Sequence, residues 1–195
     1  MKFRMVAGAV LAAAMLAGCA GSDNPALSPE EFNAAQGSFE DLLPALQEEA
    51  APFLDLDLDL LREDSCLGSK GDEEHTRTRW FGELSGFPAN PQTANNALDA
   101  LRIPLEADGW ALTSERSLPE EVNGMARELY FEKNALGVTV RYERGELVPD
   151  TIVMLATTPC IEHPEDHQML RSPLDPSYGN SHDLYADEDT DGDGD

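Results

Sequence analysis

The stretch from Met1 to Cys19 constrains this chain most, because it decides which part folds and in what surroundings. Lys2 and Arg4 lead into an apolar run from Met5 to Leu16, which closes on the small residues Ala17 and Gly18. A cationic start, a short apolar segment and small residues before a cut make a secretory signal, and so short a run with these flanks does not span a bilayer. Residues 1–18 are expected to be removed. The rest is expected to fold outside the cytoplasm, where thiols oxidise.

Leu16-Ala17-Gly18-Cys19 resembles the lipobox of bacterial lipoproteins. The resemblance implies that the Cys19 thiol takes a diacylglyceryl group, palmitate among its acyl chains, and becomes the first mature residue. Cys19 would then hold the protein on the outer face of the plasma membrane. The other reading is an ordinary signal peptide with a coincidental cysteine. Each buried CH₂ contributes about 0.8 kcal/mol, so two acyl chains hold a protein stably. With Cys19 in lipid, Cys66 and Cys160 remain, and one disulfide is expected. Closing so long a loop contributes about 4 to 5 kcal/mol in the chain-entropy model. Two buried free thiols are the alternative, since spacing does not fix bonding geometry.

Removing Lys2 and Arg4 from a chain of net charge −25 leaves −27. That field repels phosphate backbones and anionic headgroups, which excludes nucleic-acid binding and electrostatic adhesion to lipid. Cations, basic proteins and uncharged glycans are the partners it favours. A hydrophobic fraction of 41% suffices for one core.

Residues 19–27 read as a tether. Ser28-Pro29-Glu30-Glu31 is a helix start with the elements of a capping box, and Phe32, Ala35, Phe39, Leu42 and Leu46 follow at helical spacing. Gly37 and Pro44 predict a kinked helix or two short ones. Asp55 to Leu60 alternates Asp and Leu, which suits an edge strand or extended connection with a wet acidic face. Aspartates at alternate positions also suit calcium, but the turn glycines and carbonyl ligands of calcium loops are missing. Arg62 to Glu74 reads as a polar loop carrying Cys66. From Thr76 to Ser85, Thr78, Trp80 and Leu84 share one face of a strand.

A second helix, from Thr93, buries Ala94, Ala97, Leu98, Leu101 and Leu105 and stops at Asp108-Gly109. Trp110 and Leu112 then enter a strand pointing into the core. Residues 128–133 and 138–143 form a hairpin around Asn134 to Gly137, and the apolar run 151–158 predicts a central strand ending at Cys160. The expected fold is α+β: an antiparallel or mixed sheet of four to five strands packed on two helices. Residues 28–161 make the domain. Residues 162–195, rich in acids, read as a disordered tail.

The lipobox, an early helix, a Cys before the first confident strand, Gly109-Trp110 after a helix and Thr158-Pro159-Cys160 after a terminal strand together resemble the small lipoproteins of actinobacteria, the mycobacterial LppA-like group among them. The resemblance implies a lipid-anchored α+β domain of the cell envelope. It carries no catalytic residue, since those relatives are largely of unknown function.

Few constellations offer chemistry. Asp189, Asp191, Asp193 and Gly194 match the opening of a calcium loop without its later ligands, so they suit only weak calcium association. His163 and His167 lie four apart, which on a helix would put two imidazoles on one face, as in zinc sites; Pro164 breaks the His-Glu-x-x-His pattern, and a surface tail is the plainer reading. His75 and His182 stand alone. No nucleophile motif or phosphate loop is present. Trp80, Phe81 and Trp110 have the chemistry to stack on a sugar but read better as core, except that Phe81 faces away from Trp80 and is a candidate contact residue. The expected function is a non-enzymatic binding or accessory module of the envelope, without cofactor, with an envelope protein or wall glycan as partner. A divalent-metal-associated protein using the tail or the His pair is the alternative, and an unrecognised hydrolase a third.

Overall fold

A computed structural model describes residues 27–67, 75–117, 125–145, 149–180 and 184–186. Helix α1 (Pro29–Ala50) starts as its sequence dictates: the Glu31 amide donates to Ser28 Oγ at 3.3 Å, and the Ser28 amide donates to the Glu31 carboxylate at 2.9 Å. It is one helix through Gly37 and Pro44, which rules out the expected pair of short helices. Phe39, Leu43, Leu46 and Ala50 continue its buried stripe across Pro44, and their packing outweighs one missing backbone bond.

Strands β1 (Asp57–Ser65), β2 (Arg77–Gly86), β3 (Ala111–Ser117), β4 (Arg127–Lys133), β5 (Leu136–Glu143) and β6 (Thr151–Thr157) form an antiparallel sheet in the order β1-β2-β6-β5-β4-β3. A short β7 (Ile161–Glu162) adds to β2. After β2, helix α2 (Pro91–Ala107), capped by Asn90, carries the chain to the far edge, and β3 to β6 return as a meander. The sheet thus has seven strands where four to five were expected. The Asp-Leu run is a full strand that extends through Arg62–Ser65, a segment read as loop, and Ile161–Glu162 supplies another. The apolar β6 lies centrally, as its composition predicts.

Both helices pack on one face of the sheet, where Trp80, Leu84, Leu129, Phe131, Val138, Val140, Ile152 and Met154 are buried with Leu98 and Leu101 of α2. Trp110 is buried and Leu112 partly so. Gly82 is required here: a Cβ on it would lie 2.7 Å from the Leu43 side chain of α1. Cys66 and Cys160 form a disulfide.

The segment after Ile161 corrects the expectation of disorder over 162–180 and 184–186. Met169, Arg171, Ser172 and Asp175 are buried, and β8 (Met169–Leu170) pairs in parallel with β9 (Tyr185–Ala186). The segment is tied down by polar contacts to the domain: its Asp175 Oδ2 takes the Leu61 amide at 2.8 Å, and its Ser172 Oγ donates to Glu40 of α1 at 2.7 Å. Composition alone counts such acids as solvated charge.

Candidate metal centre

A bulge in β1 creates the site. Leu58 pairs with Leu84 but Leu60 with Glu83, so Asp59 is an extra residue and the in-out alternation slips by one. Leu61 and Glu63 therefore turn toward the helices, and Glu63, opposite Trp80, is 1% exposed. A buried carboxylate needs donors. Thr78, on the same face of β2 and fully buried, donates from Oγ1 to Glu63 Oε2 at 2.8 Å.

The two histidines arrive from the other side. Pairing of Ile161 with Thr78 and Glu162 with Arg77, and a bond from the His163 amide to the Thr76 carbonyl at 2.8 Å, place His163 beside Thr78. A turn closed by the His167 amide on the Pro164 carbonyl at 3.1 Å then brings His167 back over His163. The rings stack with centroids 3.7 Å apart and 7° between planes. The sequence spacing predicts facing imidazoles on a helix; a proline-led turn achieves the same facing. Phe32 of α1 meets His163 edge-on at 5.4 Å, and His75 Nε2 bonds the Glu165 carbonyl at 2.7 Å, so His75 is not isolated as expected.

The rings aim Nε2 at the two hydrogen-bonded partners: His163 Nε2 lies 2.9 Å from Thr78 Oγ1 and His167 Nε2 2.8 Å from Glu63 Oε2. The threonine has one proton, and it goes to Glu63. Its oxygen must then accept from His163, which assigns that ring the Nε2–H tautomer in this state. Burial first, and the neighbouring His167 second, push the His163 pKa down to about 4, so the ring is neutral at neutral pH. Neutral imidazole is the form a metal binds.

One ligand atom each from Glu63, His163 and His167 lie within 4.8 Å of one another. Tetrahedral ligands at zinc–nitrogen distances sit about 3.3 Å apart, so the widest pair must close by up to about 1.5 Å on binding. Parallel rings must also splay for their lone pairs to converge. Two imidazoles and a carboxylate suit zinc or copper better than calcium or magnesium, which favour all-oxygen sets. Glu63 escaped sequence reading because the bulge hides its direction. The signal was the doublet Leu60-Leu61, where the Asp-Leu alternation breaks phase.

Elsewhere, Phe81 faces away from the helices, as expected, but is half-buried with the Arg79 guanidinium 4.9 Å over its ring. Cys19, His182, Asp189, Asp191 and Asp193 lie outside the described residues. Among those described, no helix is long and apolar enough to cross a membrane. No family model, curated protein or solved structure matches this chain.

Proposed function

We propose that this is a lipid-anchored extracytoplasmic protein that binds a divalent transition metal, zinc foremost, through Glu63, His163 and His167. The observation that carries the reading is the convergence of those three ligand atoms within 4.8 Å at the end of a buried core. The anchor at Cys19 and the envelope location rest on the lipobox, and the resemblance to small actinobacterial lipoproteins agrees with both. Binding is the function that these three ligands support; two histidines and a carboxylate also hold catalytic zinc, and a screen of hydrolase substrates with the zinc-loaded chain separates the two. A protein or glycan partner has less behind it, because the contact candidate Phe81 is covered by Arg79.

Zinc titration of the mature chain in detergent, against a competing chromophoric chelator, tests the reading. One equivalent should bind to the wild type, and His163→Gln, His167→Gln and Glu63→Gln should each weaken it by about tenfold or more. Binding that survives all three substitutions but disappears from a chain ending at Ala186 would move the metal to the acidic residues beyond, and would sink this site.

A further inference from the structure

Resting on that metal reading, we propose that the Cys66–Cys160 disulfide is the maturation staple of the metal centre, so that the site becomes competent only once these thiols are oxidised outside the cytoplasm. The placement is specific. Cys66 follows Glu63 by three residues, and Cys160 precedes His163 by three. The cross-link, with a sequence separation of 94, therefore joins the strand that carries the carboxylate to the segment that carries both imidazoles.

The staple and the ligands sit on opposite faces. Glu63 pairs with Trp80 and Ser65 with Thr78 on the helix side, and alternation turns Cys66 to the other face, beside Arg77, whose carbonyl accepts the Cys66 amide at 2.9 Å. Ile161 is buried opposite Thr78, which by the same alternation turns Cys160 outward. By that alternation both cysteines sit off the face that carries the imidazoles. Their contribution is positional.

Apart from the disulfide, the histidine segment is held by non-covalent contacts alone. Strand β7 has two residues, and so short a ladder is marginal without support. Around it, the Thr158 and His163 amides bond the Trp80 and Thr76 carbonyls at 3.1 and 2.8 Å. The covalent link between these contacts limits how far His163 and His167 can swing from Glu63. A ligand set held in place binds more tightly than one that must be gathered.

The redox step is ordinary exchange. The Cys66 thiolate attacks a disulfide of an envelope oxidant and expels one of its thiolates; the Cys160 thiolate then attacks the mixed disulfide and releases the oxidant as a dithiol. Two electrons and two thiol protons leave the pair, and one S–S bond is gained here as one is lost there.

The test compares zinc affinity of the mature chain with that of Cys66→Ala/Cys160→Ala, folding being checked by circular dichroism. A second variant keeps the disulfide and inserts two glycines between Cys160 and Ile161, which preserves the global cross-link and frees the histidines from it. The proposal expects both to bind at least about tenfold more weakly than the wild type. If the double alanine variant does not fold, the insertion variant alone decides. Wild-type affinity in the insertion variant would overturn the staple while leaving the metal reading intact, since the His163→Gln and His167→Gln controls would still bind about tenfold or more weakly. No binding to the wild type would overturn both.

Discussion

Ala135 occupies a backbone position that suits glycine. It follows Asn134 in the two-residue turn between β4 and β5, and both have left-handed φ, +50° and +66°. Asn tolerates that region, whereas the Cβ of alanine costs about 1 to 2 kcal/mol there. Ala135→Gly should raise stability by about 1 kcal/mol in urea unfolding, with an unchanged slope; a loss would show that the turn relies on the alanine methyl. The sequence placed this hairpin correctly but assigned the turn glycine to Gly137. That residue lies inside β5, where a Cβ would crowd the Tyr130 hydroxyl at 3.1 Å and Thr157 at 3.3 Å. A glycine needed for packing and one needed for φ look alike in a sequence. Glu83 offers a second test. Desolvation first, and Asp59 second, raise its pKa against the pull of Arg141. The folded state thus holds this proton more tightly than the unfolded chain, so stability is lost as pH rises through the carboxylate range. Glu83→Gln should match the wild type at acid pH and exceed it at neutral pH. A constant gap at every pH would mean that the charge on Glu83 has no part in it.

At the scale of elements, the segment from Met169 to Asn180 acts as a strap along the free edge of β1. The backbone of Leu61 points away from β2, and both of its groups are taken: its carbonyl by the Ser172 amide at 2.9 Å and its amide by Asp175 Oδ2 at 2.8 Å. Asp175 Oδ1 also takes the Ser177 amide at 2.8 Å, which shapes the strap itself. An exposed edge invites pairing with other chains, and the strap closes it. Asp175→Ala leaves a buried amide unsatisfied and should cost about 1 to 3 kcal/mol, with faster hydrogen exchange at Leu61. Unchanged exchange there would show that the edge is protected without the strap. None of this was legible in composition, because acids accepting backbone bonds and acids facing water count alike. The helices and β2 were legible because their buried positions recur at regular spacing. Strand β1 was legible as far as Leu60, where the bulge changes the phase and brings Glu63 into the candidate site.

For the molecule as a whole, the proposed location rests on a local stretch of sequence and the proposed site does not. Three segments meet at Glu63, Thr78 and His163, and only the folded sheet brings them together. The proposed anchor, by contrast, is local to residues 1–19, and its test separates lipid from electrostatics. A mature chain of charge −27 is repelled by an anionic leaflet, and salt screens what remains over a Debye length of about 10 Å at 0.1 M. Membrane attachment that came from charge would therefore depend on salt, whereas acyl chains hold by apolar burial and do not. The wild type should sediment with membranes, resist a high-salt wash and incorporate labelled palmitate. Cys19→Ala should lose the label and appear in the soluble fraction, because the apolar run of Met5 to Leu16 is too short to anchor the chain by itself. Wild-type protein released by salt, or a Cys19→Ala protein that stays with membranes through the same wash, would place the holding force elsewhere than on this thiol.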